Sequence, residues 1–441
     1  MATSEAGEPA GGTLLSRHRS VMPSWLAIYY DEPIEIVRGK GRRVTDATGA
    51  EYLDFFAGIL TNGIGYDIAE ISDAIRSQVD TGILHTSTLY LLRQQVELAE
   101  KLARLSGIPD AKVFLTNSGT EANEAALMLA TQLRRSNQVL AMRNSYHGRG
   151  FGTVAITGNR GWSASSLSPV QVSYVLGGYR YRSPFRDLSD PDYIAACTDD
   201  LRNVIETTTA GDVACLIAEP IQGVGGFSVP PPGLYAAFKE VLDEYGILFV
   251  SDEVQTAWGR TGAHFWGIGS HGVTPDAITF AKGLANGIAT GGVIARPDLM
   301  DCFQANSIST FGGNPIACTA ANAALDYLLD HDLQGNAAQR GSELMSGLKA
   351  IASGHDVVGD VRGMGLMVGV EFVEPDRTPS PAAAARLLEE TKARGLLVGK
   401  GGLYGNVIRM SPPMTVTADE VAEALGILEE SIVAVQKEIT A

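Results

Sequence analysis

The stretch GILFVSDE (residues 246–253) is five apolar residues without alternation that stop at Ser251-Asp252-Glu253. A run this short and unbroken is how a strand buried on both faces reads, because neither face meets water. Two further runs follow the same plan: VACLIA (213–218) stops at Glu219-Pro220, and AITFA (277–281) stops at Lys282-Gly283. Such strands predict a mostly parallel α/β sheet, in which ligands sit just beyond the carboxyl ends of the strands. An acid, Asp252, and an amine, Lys282, are then delivered to one edge. Side chains alternate along a strand, so of the adjacent pair Asp252-Glu253 only one faces a pocket there. A metal site at that pair lacks a third ligand at plausible spacing.

Outward from these strands, strand and helix patterns alternate from about residue 70 to 325. Residues 35–56 read as a hairpin broken at Gly39-Lys40-Gly41 and at Asp46-Ala47-Thr48-Gly49. Beyond 326 come a helix, the β-like segment Gly365–Phe372, a helix near 381–394 and a last helix from Asp419, which read as a separate α+β layer. The first twenty residues lack the apolar core of a signal peptide and the Arg-rich character of a transit peptide, so a disordered or lightly ordered start is expected.

The 441 residues are 45% hydrophobic and 19% charged, values of a folded globular chain. Lys and Arg total 34 against 50 Asp and Glu, a net charge of −16, which leaves no basic surface for nucleic acid. Cys197, Cys215, Cys302 and Cys318 form no CxxC pair and read as small buried hydrophobes. No apolar run reaches the roughly 20 residues of a membrane span, so no membrane partner is expected and cytoplasm is the default location. His85, His264 and His271 have no metal-like partner at i+4 and read as packing or surface residues.

Upstream of the three runs, KVFLT (112–116) reads as a strand and Glu121 to Leu127 as strong helix. Ser118, Gly119 and Thr120 then lie at a helix N-terminus, where free amides and the helix dipole favour an anion. Ordinary N-capping by Ser118 or Thr120 explains the same residues. A cofactor carrying a phosphate, an aldehyde and a basic ring nitrogen needs such a cradle, an amine for a Schiff base, a carboxylate for the nitrogen and an aromatic face. Ser118–Thr120, Lys282, Asp252 and Tyr146 offer these four in turn. Ile278, Phe280, Ala281 and Leu284 surround Lys282 in sequence, and a desolvated lysine is the more nucleophilic for its lowered pKa. A Walker-type loop and a GxGxxG after the first strand are both missing, which argues against a nucleotide-binding module.

The segments TNSGTEANEAA (116–126), YHGRGFG (146–152), IAEPIQGVGG (217–226), SDEVQTAWGRTG (251–262), PDAITFAKGLANG (275–287), STFGGNP (309–315) and VIRMSPPMTVT (407–417) resemble those of the class III aminotransferases in order and spacing. The resemblance runs from about residue 30 across most of the chain. It implies the type I fold of pyridoxal 5'-phosphate enzymes: a large domain over 70–325 with a mostly parallel seven-stranded sheet, and a smaller α+β domain. That smaller domain would combine the N-terminal segment 1–69 with the C-terminal part 326–441. It also implies that Lys282 forms the Schiff base and shuttles the proton, that Asp252 pairs with the ring nitrogen, and that Gln255 approaches the phenolic oxygen. Tyr146 would stack on the ring with His147 beside it. Ser118, Gly119 and Thr120 would hold the phosphate, and Thr310 would reach the phosphate of a neighbouring subunit in a homodimer with shared sites, which could pair into a tetramer.

By the same resemblance Arg409 is placed to take a substrate carboxylate. Enzymes of the family that act on ω-amino groups carry Glu where this chain has Val224, so no carboxylate masks Arg409 here. That suits small amine and keto-acid substrates, with pyruvate or glyoxylate as acceptor, and the branch that resembles alanine–glyoxylate and 3-aminoisobutyrate–pyruvate aminotransferases. Amino-alcohol phosphate lyases share the branch, so a lyase or decarboxylase on the same scaffold is the alternative. Residues Phe56 to Asn62, with Ile59 and Leu60, and the region around Tyr90 would line an apolar substrate channel. Two positions depart from the family: Gly65-Tyr66-Asp67-Ile68-Ala69 replaces its usual Gly-His-x-His-Pro, and Trp258 stands where Phe is common.

Overall fold

A computed structural model describes residues 13–440. Its strands, in chain order, are β1 (Ile36–Lys40), β2 (Arg43–Asp46), β3 (Glu51–Asp54), β4 (Lys112–Thr116), β5 (Gln138–Met142), β6 (Gln171–Val175), β7 (Cys215–Ala218), β8 (Leu248–Asp252), β9 (Ala277–Phe280) and β10 (Gly291–Ala295). These are followed by β11 (Val358–Met364), β12 (Met367–Phe372), β13 (Leu396–Leu397), β14 (Gly399–Gly401) and β15 (Val407–Met410).

Seven of them form one sheet in the order β4-β10-β9-β8-β7-β5-β6. The pairs β6/β5, β5/β7, β7/β8 and β8/β9 are parallel, while β10 runs antiparallel to both β9 and β4. Six strands therefore point one way and β10 alone is reversed. The expected mostly parallel seven-stranded α/β sheet of fold type I is present. Every residue of β5, β7, β8, β9 and β10 is buried, as unalternating apolar runs require.

Because the six strands share a direction, their last residues collect along one edge. From there the chain enters the Asn117–Thr120 turn after β4, the loop to Tyr146 and His147 after β5, Glu219 after β7, Asp252 at the end of β8, and Lys282 after β9. Reversed β10 brings its leading residues, 287–290, to that same edge.

The expected N-terminal hairpin is a three-stranded antiparallel meander, β1-β2-β3, and β13 pairs parallel with β3 through Leu396–Leu53 and Leu397–Asp54. Residues 1–12 of the expected unstructured start lie outside the described residues. Within it, Leu14–Val21 is a helix capped by the Thr13 side chain, with no buried residue. Cys302 is only half-buried, unlike the other three cysteines, because it follows the short helix Pro297–Met300 at the surface.

The elements of the C-terminal layer pack on one another by close backbone approach. Gly341, inside the helix Leu333–Ala352, faces the Gly365 carbonyl group, to which an added Cβ would come within 2.3 Å. Gly426, in the helix Ala418–Thr440, meets nothing within 4 Å. Gly→Ala in a helix ordinarily gains about 1 kcal/mol. We expect Gly426→Ala to show that gain, and Gly341→Ala to lose roughly 1–3 kcal/mol instead because backbone cannot yield. Thermal melts of the two variants check the opposite signs.

Candidate active site

A cavity of about 370 Å³ lies at the carboxyl edge, lined on one side by Asn117, Ser118, Gly119 and Thr120 and on the other by Ala281 and Lys282. Tyr146, His147, Glu219, Asp252, Gln255, Thr61 and Gly287–Thr290 complete its lining. The site residues read from sequence at the strand ends are thus brought together.

Lys282 holds a left-handed backbone, φ 48°, in the short turn Lys282–Ala285. Such a conformation in a bulky residue persists only when its surroundings enforce it, and it clusters at functional sites. Here β9 and its neighbours fix the preceding residue, and the Trp258 indole N–H donates to the Ala281 carbonyl at 3.2 Å. Trp258 packs edge-on against Phe265 and Phe280, so the larger ring at this position clamps the Lys282 turn from behind. Enclosure pushes the Lys282 amine down to about 8, against the opposing pull of Asp252 and Glu219.

Asp252 is held by a web of donors. Its Oδ2 accepts from Asn123 Nδ2 at 2.7 Å and lies 2.8 Å from His147 Nδ1, while Oδ1 accepts from the Val254 amide at 3.1 Å. Asn123 is itself oriented, because its Oδ1 accepts from Thr279 Oγ1 at 2.6 Å and its Nδ2 also donates to the His147 carbonyl. The neighbouring acid turns the other way, as alternation predicts. Glu253 accepts from the amides of Gly267 and Ile268 at 2.8 Å each and caps the 3₁₀ turn Gly267–His271. Its burial pushes its carboxyl up to about 7.

Glu219 takes the Tyr146 amide on one oxygen and the Gly223 amide on the other, at 2.9 and 2.8 Å. Burial raises its pKa, His147 opposes that and Asp252 adds to it. The sequence reading noticed that β7 stops at Glu219 but gave the residue no role, and it missed Asn123 and Thr279 entirely. A signal existed for Asn123: one helical turn past Gly119 and three residues before Ala126, on the side of the helix that buries Ala122, Ala126 and Leu127, it is a poor helix former that needs a buried partner.

Ser118 is the N-cap of the helix Gly119–Arg134, its Oγ accepting from the Glu121 amide at 3.2 Å. The capping role is therefore real. It coexists with an anion cradle, since the amides of Gly119 and Thr120 open the helix and no helical carbonyl can reach them. An added Cβ at Gly119 would stand 2.9 Å from Val254, which lines the same cavity, so the cradle is kept clear. Gln255 Oε1 and His147 Nε2 are buried without a hydrogen-bond partner among the described residues. A ring bearing polar substituents would supply what these atoms lack. A helix start suited to phosphate, an amine and a carboxylate in one cavity fit a phosphorylated pyridine aldehyde.

The other expected site residues lie elsewhere. Arg409 is buried on β15 and does not line the cavity. It has no carboxylate partner among the described residues, yet it is not free: Nη1 donates to the Gly223 carbonyl at 3.1 Å, and Nε and Nη2 to the Lys400 carbonyl at 3.2 and 2.9 Å. Nη2 also reaches the Tyr29 hydroxyl at 3.4 Å, and the guanidinium lies 5.0 Å over Phe56 and 5.5 Å over Phe227. Val224 is buried beneath it, its carbonyl accepting from the Gly402 amide.

Ile59 does not line the cavity either. Ala57 to Leu60 are four successive left-handed residues, φ 48° to 65°, and this turn swings Ile59 to the surface. Leu60 is turned inward against Ile221, Phe227 and Met367, and Thr61 is the residue of the segment that meets the cavity. Tyr90 and Thr310 are exposed and outside the cavity of their own chain. Tyr66, at the first departure from the family pattern, donates to buried Asp54 at 2.6 Å, whose other oxygen accepts from the Phe56 and Ala57 amides. His85 and His264 are exposed; His271 is buried edge-on to Tyr235 and pushed down to about 4. Among the described residues no group of His, Cys, Asp and Glu could hold a metal ion, and no helix is long and apolar enough to cross a membrane.

Comparison with known proteins places the same features in a family. Residues 28–432 match the sequence model "Aminotransferase class-III". The chain is 38% identical over 417 residues to alanine–glyoxylate aminotransferase 2 homolog 2, mitochondrial, of Arabidopsis thaliana, covering 93% of this chain and 85% of that one. An amine transaminase from an uncultivated Pseudomonas species, solved in its PLP-bound form, superposes with a TM-score of 0.87 at 31% identity over 98% of this chain and 99% of the other. A phospholyase from Arthrobacter in complex with phosphoethanolamine reaches the same TM-score at 32% identity over 96% of this chain and 100% of the other.

Two outcomes test the geometry. In the cofactor-free protein, the reaction of Lys282 with an added aldehyde should rise about tenfold per pH unit until about pH 8 and then level, because the free amine reacts and the ammonium does not. The difference in absorbance between wild type and Lys282→Ala reads this. Asn123→Ala should lower kcat by roughly ten- to a hundredfold with the fold intact, the cost of about 1–3 kcal/mol for a buried group left unmatched.

Proposed function

The chain belongs to the class III aminotransferases, a pyridoxal 5'-phosphate-dependent family acting on small amine and keto-acid substrates, and from that premise we propose which residues do the work and what they act on. The observation that carries the reading is the enclosed Lys282 amine, pushed down to about 8, sharing one cavity with Asp252 and the Ser118–Thr120 helix start. Bound there, the cofactor supplies a protonated ring that accepts the electrons of a carbanion.

Lys282 would provide the amine that attaches the cofactor and would carry the proton to and from the substrate carbon. Asp252, kept oriented by Asn123 and His147, would pair with the ring nitrogen. Gly119 and Thr120 would offer amides to the phosphate from the helix that Ser118 caps, Tyr146 would stack on the ring, and Gln255 would approach its hydroxyl. Glu219 holds the Tyr146 and Gly223 amides and so fixes two walls at once. Arg409 receives the substrate carboxylate by exchanging its neutral carbonyl acceptors for charged oxygen, a stronger bond for the same donors. With Val224 in place of a masking acid, this favours an α-amino or α-keto acid, with pyruvate or glyoxylate as acceptor. The aminotransferase family match and the aminotransferase relatives favour transamination over elimination on this scaffold.

We read the protein as a cytoplasmic homodimer, with 70–325 as the cofactor domain and 326–441 joined to 1–69 as the small one. The relative named mitochondrial makes the compartment a matter for localisation experiments. Support for the dimer comes from exposed apolar side chains in two neighbouring segments, Leu89, Tyr90 and Leu91 in one and Ile308 and Phe311 in the other. Thr310 lies between Ile308 and Phe311 in the chain and would reach the phosphate of a partner subunit.

A single-turnover spectrum tests the function. L-alanine or 3-aminoisobutyrate, added without keto acid, should bleach the visible band of the loaded protein, and pyruvate or glyoxylate should restore it. A band that persists while acetaldehyde or carbon dioxide accumulates would replace the aminotransferase reading by a lyase one. For the assembly, light scattering should give twice the chain mass, and Leu91→Glu should halve it and abolish activity, because a charge in an apolar interface has no partner.

A further inference from the structure

On the reading of Arg409 as the receiver of the substrate carboxylate, we infer that Asp54, with the Tyr66 hydroxyl, is a positioning residue for that group. It clasps both ends of the loop 55–65 and so holds Phe56 on Arg409 and Thr61 in the Lys282 cavity.

The loop needs such a clasp. Ala57, Gly58, Ile59 and Leu60 stand at φ 48°, 61°, 63° and 65°. A left-handed turn of L-residues crowds each Cβ against the following carbonyl, and a branched residue such as Ile59 tolerates it least. Within the turn the Leu60 amide donates to the Phe56 carbonyl at 3.0 Å and the Thr61 amide to the Ala57 carbonyl at 2.9 Å. The amides of Phe56 and Ala57, at its start, find no acceptor inside it. Asp54 Oδ1 takes both, at 2.8 and 2.9 Å. Oδ2 of the same carboxylate accepts from the Tyr66 hydroxyl at 2.6 Å, beyond the far end of the loop. Tyr66 is itself fixed, because its amide donates to the Gly41 carbonyl at 2.7 Å and its carbonyl accepts from the Gly41 amide at 2.8 Å.

Asp54 is 4% exposed, and no cation pairs with it among the described residues. Burial raises the pKa of its carboxyl, and the three donors oppose that rise. A carboxylate met by neutral donors alone acts by accepting hydrogen bonds, and strained backbone persists where such surroundings enforce it.

What the loop touches is the substrate side of the site. The Phe56 ring lies 5.0 Å from the Arg409 guanidinium and fills the room a Cβ would take at Gly399. Leu60 packs on Phe227, the second ring against Arg409, at 5.5 Å from it. The Leu60 carbonyl stands 3.3 Å from where a Cβ would be at Gly283, the residue after Lys282, and Thr61 lines the cavity. Relaxation of the turn therefore displaces both rings on Arg409 and the Thr61 wall together.

The test compares the cofactor-loaded wild type with Asp54→Ala, Asp54→Asn and Tyr66→Phe, a thermal melt verifying the fold of each. Hydrogen exchange at the amides of 56–62 should quicken about tenfold or more in Asp54→Ala. It should stay near wild type in Asp54→Asn, whose side-chain oxygen still accepts both amides while its NH2 donates to the Tyr66 oxygen. Propionate, a carboxylate with no amino or keto group to react, is titrated by its heat of binding. Its dissociation constant should rise about tenfold or more in Asp54→Ala and return in Asp54→Asn, whereas an acid of purely structural value would lower the melting temperature alone. Unchanged exchange or unchanged propionate affinity in Asp54→Ala overturns the inference. So does an Asn variant that falls as far as the Ala one, since charge and not the clasp would then be at work. If Asp54→Ala does not fold, Tyr66→Phe decides by the same two readings, with a change of about threefold or more expected. Arg409→Lys separates the premise: no saturable propionate binding in the wild type, or an affinity that Arg409→Lys leaves intact, overturns the reading of Arg409 and the role of Asp54 toward the carboxylate with it.

Discussion

The grip of Asn123 and His147 on one oxygen of Asp252 is the interaction on which the site depends. It ties the helix after β4, the loop after β5 and the end of β8 to a single atom. A buried carboxylate is tolerable only when its lone pairs are met, so the three elements must arrive in register for any of them to be stable. Thr279 on β9 extends the web by orienting Asn123, which reaches the strand that carries Lys282. Catalytic geometry and core stability are thus the same requirement at this edge: strands that pair correctly deliver the acid and the amine to one cavity without further adjustment.

Much of this was legible in the sequence because parallel strands announce themselves. Unalternating runs such as VACLIA and AITFA can only be buried on both faces, and the polar residues that stop them can only lie at the ligand edge. Asp252 and Lys282 follow from that rule, and Ser118 from the helix start after KVFLT. The division of labour between Asp252 and Glu253 followed from alternation, and Glu253 indeed faces away. What stayed hidden depends on backbone that no periodicity encodes. The four left-handed residues Ala57 to Leu60 reverse which side chain faces inward, so Thr61 meets the cavity and Ile59 meets solvent. Asn123 stays hidden because it sits inside a helix, where no strand end marks it.

Arg409 shows how a motif match and a structure inform each other. A buried guanidinium without a carboxylate would be costly if it were bare. Here the carbonyls of Gly223 and Lys400 and the faces of Phe56 and Phe227 keep it solvated by neutral groups, and burial lowers its pKa. Neutral acceptors hold the cation in place but leave a charged oxygen the better partner. Arg409 is therefore not an empty arginine; it is one with weaker, exchangeable company.

The reversal of β10 gives the sheet edge an unusual mixture of endings and beginnings. Between β9 and β10 the chain turns through 281–290 and comes straight back, so both the amine-bearing residue and the wall Gly287–Thr290 belong to one hairpin connection. Lengthening a connection costs little, since loop entropy grows only slowly with length. Residues inserted after Asn286 would reshape that wall while both strands kept their pairing and Lys282 its place. Substrate preference can drift through that one loop while the chemistry stands still, a separation of variable from invariant parts that a crossover helix at the same position would not allow.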